Sequence, residues 1–488
     1  MSSSKQHHED PAKDHSEDED EILNPDDVAE EIDEDEDEDA AMDSGSENGG
    51  DDDQIMQELQ FQNDSAAHFD LHQDSIFTIA QHPVLPNIVA TGGSEGDDAG
   101  GLGYVFDTTP AEKDTPVLPP GWQSDPSQGQ QQQERKGQDA LFKIEGHTDS
   151  INALAYTLPK GEFLISGGLD GKVRAYMSAK DGRQYRFLAE VQEVEEVNWL
   201  LACPNPDYLN TFALGANDGS VWVYTAVRDK NAPLQIVQSY FLHTDSCTAG
   251  AWSPDGKLLA TVSEDGSLYV WDVFGEAATA GLTQGEGGAY VVNLSAVDQR
   301  FAVEGGLFSV AISPNGSFVV VGGAGGSIKV VGLPRLGADA TAGQAGQILA
   351  DLQAQSDGIE TLAFSPPPLT LLAAGSVDGS IALFDTAHRF SVRRHIKEAH
   401  EDFTVVKVEF AKGAGGCLLT SCGMDGVVRR WDARGGSNLA NSGLVQEWKG
   451  HRGDGEGGGV LGFVQGDGSR IVTAGDDSVS LVFDAPLA

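Results

Sequence analysis

Basic residues are scarce in this 488-residue chain: 30 lysines and arginines stand against 77 aspartates and glutamates, for a formal net charge of −47. A balance of that sign repels phosphate backbones, so direct nucleic-acid binding is not expected and a basic protein partner is the electrostatic complement. Cysteine is scarce as well. Cys203, Cys247, Cys417 and Cys422 lack CxxC spacing, which indicates neither a zinc site nor a disulfide framework but reduced thiols packed in strands. No apolar run approaches the roughly 20 residues that span a bilayer. The N-terminus, MSSSKQHHEDPAKD, has no basic segment leading into an apolar stretch, so the chain is expected to stay inside the cell, in the cytoplasm with the nucleus as a second location. HExxH, paired-cysteine and EF-hand patterns are missing too, and no cofactor or metal is expected.

What the chain does have is unevenly placed. Residues 1–60 carry 25 acids against Lys5 and Lys13, with unbroken acid from Asp33 to Asp39. Such a segment cannot bury enough apolar surface to offset chain entropy, so residues 1–62 are expected to be a disordered acidic arm. The rest of the chain holds 52 acids and 28 bases and is acidic in its own right. Glycine is abundant, at 60 residues, and short apolar runs are punctuated by Asp-Gly, Asn-Gly and Gly-Gly pairs. That is how an all-β chain with many tight turns reads.

The turns recur. Asp170-Gly171, Asp218-Gly219, Asp265-Gly266, Gly325-Gly326, Asp378-Gly379, Asp425-Gly426 and Asp477-Ser478 follow one another at steps of 48, 47, 60, 53, 47 and 52 residues. One copy runs from His243 through AGAWSPDGKLLATVSEDGSLYVWD to Trp271-Asp272: strand, turn, strand, tight turn, and a strand closing on Trp-Asp, the signature of one WD-repeat blade. Counting a copy that starts at His72 gives eight, so residues 63–488 read as an eight-bladed WD-repeat β-propeller. An unpaired outer strand would leave an exposed edge. The apolar stretch 66–71, which no blade precedes, is therefore expected to close the last blade by pairing within 460–484. Three insertions, 108–138, 273–304 and 332–346, all follow the third strand of a blade and read as flexible loops on one rim.

Two constellations invite a chemical reading. His243, Ser263, Asp265 and Trp271 have the residue types of a catalytic relay, yet these positions form a structural hydrogen-bond network in WD blades. His147, His400 and His451 repeat the phase, and repetition around a ring argues for a scaffold. Gly453–Gly458 matches GxGxxG but links no strand to a helix in a βαβ unit, so it is a loop. No catalytic residue is expected.

Acidic residues gather on one face. Loops leading into the innermost strands carry Asp74, Asp149, Glu195, Glu196, Asp245, Asp357 and Asp402, with Glu360 just inside, and the turns between second and third strands add Glu264 and Asp476. Both sets surround one mouth of the central channel. An Asp two residues after the blade His is common in WD repeats, so part of this ring is generic; Glu195, Glu196 and Glu264 are not required by the repeat. Single exposed ion pairs contribute about 0.2–1 kcal/mol, so capture of a cationic segment needs several acting together.

Beyond the repeat, the acidic arm leading into NDSAAHFDLHQDSIFTIAQHP (63–83), QEVEEVNWL (192–200), GANDGSVWVY (215–224) and TAGDDSVSLVFDAP (473–486) resembles the angio-associated migratory cell protein family. Within it, the chain is similar to the fungal WD-repeat assembly chaperones of large-subunit ribosomal protein number ten, number sixteen in universal naming. The resemblance implies a monomeric chaperone that captures the basic N-terminal segment of its newly made client on an acidic face and delivers it to the pre-60S particle. The implied binding residues are drawn from Asp149, Glu195, Glu196, Asp245, Glu264, Asp357, Glu360 and Asp476. A histone or chromatin adaptor binding basic tails and a general WD-repeat scaffold are the alternative readings. Gly325 in place of the turn Asp and Val330-Val331 in place of aromatic-Asp put the packing of the fifth blade in question.

Overall fold

The computed structural model describes residues 62–96, 100–109, 136–413, 416–435, 443–453 and 458–486. The chain divides into two units, Met1–Gln60 and Phe61–Ala488. The acidic segment 1–61, most of the insertion 108–138 and the interior of the Gly453–Gly458 motif lie outside the described residues.

Strands dominate the second unit and form eight sheets, each built on four antiparallel strands. Blades one to eight begin with inner strands at Thr78–Gln81, Ile151–Tyr156, Val197–Ala202, Cys247–Trp252, Leu307–Ile312, Ile359–Phe364, Val405–Phe410 and Val460–Val464. Second strands such as Phe163–Gly168, Leu258–Ser263 and Leu371–Ser376 are buried at every position. A strand covered on both faces has no solvent side, which is why these segments are runs of apolar and small residues rather than alternations. The core therefore lies between blades. Phe163, Ile165 and Val173 of blade two, for example, pack with Val197, Phe212 and Leu214 of blade three, and each large side chain so buried contributes about 1.5–3 kcal/mol.

The ring is closed by chain ends distant in sequence. Ala67–Phe69 pairs antiparallel with the last strand, Ala67 opposite Val482 and Phe69 opposite Ser480. Asp64 and Lys449 exchange two bonds, Asp64 N–H to Lys449 C=O at 2.7 Å and Lys449 N–H to Asp64 Oδ2 at 2.9 Å. Phe69 stacks on Phe106 of blade one at 4.4 Å, so the closing strand joins the eighth blade to the first. Lys136–Gly137 adds a fifth, parallel strand outside it.

Two expectations change. The segment 273–304, read as one flexible loop, contains a short helix at Glu276–Thr279 and the outer strand of blade four, Tyr290–Leu294, paired with Leu268–Trp271. Val291, Val292 and Leu294 are buried there with Leu307 and Val319 of blade five, and that burial holds an apolar run too short to stand out in the sequence. Blade five, whose packing was in question, is complete. Gly325 and Gly326 make the turn with φ of 60° and 77°, and Val330 and Val331 are fully buried in the third strand. In blade one Gly92, Gly93, Gly101 and Gly103 are strand residues, with Gly92 opposite Gly103 and Ser94 opposite Gly101. A Cβ on Gly93 would lie 2.0 Å from Ser75 O and one on Gly101 2.1 Å from Asp149 O, so close approach of neighbouring loops requires glycine at both.

All four cysteines are free; burial pushes the thiol of Cys203 up to about 11 and that of Cys422 up to about 12. No helix among the described residues is long and apolar enough to cross a membrane.

Candidate functional site

The histidines are built into the blades. In blade seven, Trp431 Nε1–H donates to Ser421 Oγ at 2.9 Å, the hydroxyl meets His400 Nε2 at 2.7 Å, and Nδ1 meets Asp425 Oδ1 at 2.9 Å. His147 is held the same way by Ser166 and Asp170, and His451 by Thr473 and Asp477. Blade four has the network with one member exchanged. The hydroxyl shared by His243 Nε2 and Trp271 Nε1 belongs to Thr261, at 2.8 Å from each, and His243 Nδ1 meets Ser267 Oγ at 2.6 Å. Ser263 caps the turn instead, donating to Asp245 O at 2.9 Å and accepting from Asp265 N–H at 3.1 Å. The reason is position along the strand: Thr261 stands four residues before the turn Asp, as Ser166, Ser421 and Thr473 do, whereas Ser263 sits at the end of the second strand beside the turn. The His243 side chain has no exposed surface, and burial lowers its pKa to about 4.

The loops before the inner strands and the tight turns share one face because the backbone ties them together in every blade. The turn N–H donates to the residue at or just before the inner strand: Ser94 to Ser75 at 3.1 Å, Leu169 to Ser150 at 2.9 Å, Asn217 to Glu196 at 3.3 Å, Glu264 to Ser246 at 3.0 Å, Ala324 to Gly306 at 3.1 Å, Val377 to Gly358 at 2.9 Å, Met424 to Thr404 at 3.0 Å and Asp476 to Gly459 at 2.9 Å. On this mouth the aspartates adopt one geometry in four blades. Asp74, Asp149, Asp245 and Asp357 each accept the N–H of the next residue on Oδ1, at 2.7–2.8 Å. For Asp74 that bond is the main cause of a lowered pKa. The turn fixes each carboxylate on its loop, and for Asp149, Asp245 and Asp357 no donor among the described residues takes the other oxygen, which a cation can then meet. Asp149, Asp245, Asp357, Glu195 and Glu264 are exposed, and Glu196 and Asp476 are half-buried. Asp476 differs from the rest: Ser75 Oγ donates to its Oδ1 at 2.6 Å across the seam between blades eight and one. Ser75, which sequence reasoning missed, is visible only once the ring closes.

Glu360 owes its position to a β-bulge. Blades two to eight shift register after the first inner-strand residue, as between Ile151 and Ala153 or Ile359 and Thr361, and the bulged side chain is re-aimed. In blades two to four this residue clasps the next blade: Asn152 Nδ2 donates to Asn198 O at 3.2 Å, Asn198 Nδ2 to Cys247 O at 3.0 Å, and Thr248 Oγ1 to Leu307 O at 2.6 Å. Blade six has Glu360 there, and an ionised carboxylate cannot donate to a carbonyl. Among the described residues no donor bonds to it, and burial, with the charge of Asp357 second, raises its pKa. Lys407, on the inner strand of blade seven, is occupied, donating to Phe463 O at 2.8 Å and pairing with Glu409 at 3.2 Å. The mouth thus presents carboxylates from blades one to four and six to eight, with Asp402 exposed on the loop of blade seven and Glu360 unpaired among the described residues just within, an arrangement suited to several guanidinium or ammonium groups on one extended segment.

Comparison with known proteins places this geometry among relatives. The family of the WD domain, G-beta repeat, matches residues 138–176, 234–272, 301–331 and 346–385. The chain is similar to the ribosome assembly protein SQT1 of Saccharomyces cerevisiae, 28% identical over 89% of this chain and 91% of that one. It is also similar to the human angio-associated migratory cell protein, 24% identical over 94% and 90%. Among solved structures, Chaetomium thermophilum Sqt1 bound to the N-terminus of the ribosomal protein L10 is 59% identical, with a TM-score of 0.77 over 87% of this chain and 100% of that one.

Proposed function

Since the chain belongs to the Sqt1 family of WD-repeat proteins, we propose that it is a dedicated ribosome-assembly chaperone, which captures the basic N-terminal segment of newly made ribosomal protein L10 on the acidic mouth and delivers it to the pre-60S particle. One observation carries the reading: a chain 59% identical to this one, matched over its whole length, has that N-terminus bound. The geometry supports it. An Arg- or Lys-rich segment aggregates with RNA unless its charge is masked, and oriented carboxylates mask it at little cost in ordering. We assign the contact to Asp149, Glu195, Glu196, Asp245, Glu264, Asp357, Glu360 and Asp476.

We propose that the protein acts by binding. His243, Thr261 and Asp265 are committed to the blade, and a ring without exposed surface cannot reach a substrate. We place its action in the cytoplasm, where the client is synthesised, and we take residues 1–62 as an acidic segment that precedes the propeller at 63–488. Calorimetry with the client's N-terminal peptide and the full chain tests the proposal. Saturable binding that weakens with added salt supports it, whereas no binding, or equal binding of a histone tail peptide of the same charge, would refute it.

A further inference from the structure

A hollow of about 410 Å³ lies away from the mouth, between the outer strand of blade three, Leu234–Tyr240, and the end of the third strand of blade four, where Trp271-Asp272 runs into the insertion. Two atoms of residues lining it have no hydrogen-bond partner among the described residues, the hydroxyl of Tyr240 and Oδ1 of Asp272. Both residues are buried, at 7% and 5% exposure. The other oxygen of Asp272 accepts the N–H of Ala278 at 2.7 Å, which fixes the carboxylate. Tyr240 is fixed by stacking on Trp271 at 4.1 Å. Another aromatic pair lines the hollow, Tyr208 stacked on Phe274 at 3.5 Å. Gly287, also in the wall, has φ of 74° and nothing within 4 Å of where a Cβ would stand, so the left-handed backbone and not crowding requires glycine there, and the wall stays open.

A buried carboxylate oxygen and a buried phenol left without partners are costly, and no cation of this chain pairs with Asp272 among the described residues. We propose that this hollow is a binding site for one arginine side chain of a protein segment, the guanidinium spanning Asp272 Oδ1 and the Tyr240 hydroxyl and lying against the aromatic wall. The charge of Asp272 selects a cation over a neutral donor. The two remaining acceptors sit on separate side chains, which suits a planar fork better than a compact ammonium, and stacked rings favour the flat ion again. Phe274 and Ala289 give apolar surface for the methylene stem. The site is independent of the mouth and of the client proposed for it.

The test uses the full chain and single blocked residues, so that its outcome does not depend on the mouth. N-acetyl-arginine N-methylamide, its citrulline and lysine counterparts and free arginine are titrated while the ring resonances of Tyr240 are followed, assigned from Tyr240→Phe. The blocked arginine should shift them saturably, the lysine compound about tenfold more weakly, and citrulline, which is neutral, not at all. Asp272→Asn keeps an oxygen for Ala278 N–H and should abolish binding. Tyr240→Phe, followed through the ring resonances of Trp271 that stacks on position 240, should weaken it severalfold without lowering the melting temperature, because that hydroxyl has no partner to lose among the described residues. Equal response to arginine and citrulline, undiminished binding by either variant, or no saturable shift would overturn the assignment. A requirement for the free α-amino or α-carboxylate group would overturn the protein-segment occupant.

Discussion

His243 and Asp265 stand 4.0 Å apart, whereas His147 and Asp170, His400 and Asp425, and His451 and Asp477 meet at 2.9–3.0 Å. The difference traces to one atom. Blades two, seven and eight have Gly168, Gly423 and Gly475 two residues before the turn Asp, and a Cβ on Gly168 would lie 2.6 Å from His147 Nδ1 and 2.5 Å from Asp170 Oδ1. Blade four has Ser263 there, so the direct pair is pushed apart and Ser267 bridges it, its hydroxyl on His243 and its N–H on Asp265 at 2.7 Å.

Ser263→Gly should therefore let His243 approach Asp265, and the ring, now facing a carboxylate directly, should titrate above its present value of about 4. Proton NMR of the histidine ring against pH reads this directly. An unchanged titration would show that Ser263 does not set the spacing.

Burial also lowers the pKa of His72 to about 4. In the unfolded chain both His72 and His243 take a proton near pH 6.5, but in the folded chain only near 4, so protons favour the unfolded state between these values. Their contribution to stability is complete above pH 6.5 and is lost as the pH falls toward 4, at roughly 1.4 kcal/mol per pH unit for each ring. Gln355 fills the histidine position in blade six, with Nε2 on Ser380 O at 2.9 Å. His243→Gln should accordingly reduce the slope of unfolding free energy against pH by one proton. His243→Ala, which strands Thr261 and Ser267, should lower stability by about 1–3 kcal/mol. Denaturant unfolding at several pH values checks both, and identical slopes for wild type and His243→Gln would count against the assignment.

At the mouth, Asp149 bonds only to its own loop, so Asp149→Lys should leave the fold intact and cost several kcal/mol in client-peptide binding by placing like charges together. Asp476→Lys should weaken binding too, and it should also lower stability because the bond from Ser75 is lost. Glu162→Lys is the control. Glu162 lies at the other end of its blade, paired with Arg228 at 3.0 Å, and should cost no more than about 1 kcal/mol of stability and nothing in binding. Calorimetry at two ionic strengths compares the three. Equal affinity of wild type and Asp149→Lys would remove the mouth from the mechanism.

Glu360 binds a cation only when ionised, and its pKa is raised. Client affinity should begin to fall with decreasing pH before the other mouth carboxylates protonate, and Glu360→Gln should weaken binding at neutral pH while removing that first component. A variant with the wild-type pH profile would place Glu360 outside the contact.

Phe61–Ala488 is a unit by itself, so removing residues 1–60 should leave the thermal transition nearly unchanged and, by removing 25 acids, slow association with a basic client at low salt. Stopped-flow association at low and high salt tests this. Extending the deletion through Phe69 should in contrast lower the melting temperature sharply, since the closing strand goes with it.

The repeat was legible because turn pairs and apolar runs are local, and the closing strand because an orphan apolar segment had one edge to cover. Less was legible where a second segment decides the outcome. Tyr290–Leu294 becomes a strand through contact with blade five, Thr261 rather than Ser263 meets His243 because Ser263 lies at the strand end and is taken by the turn, and the acidic ring left no mark of which carboxylates are already engaged. Asp476 and Glu360 look alike in sequence, yet one is bonded across a seam and the other is unpaired for want of a donor.

The pairing of Ala67–Phe69 with Ser480–Val482 also sets an order in time. Synthesis delivers Ala67–Phe69 before the strands of all eight blades and Ser480–Val482 after nearly all of them, so the eighth sheet must wait for the intervening propeller, and loop closure on that scale is slow. The bond between Ser75 and Asp476 lies on the same seam. The mouth is therefore finished last, and a chain still being made has no complete acidic ring with which to hold a cationic segment, its own or another's.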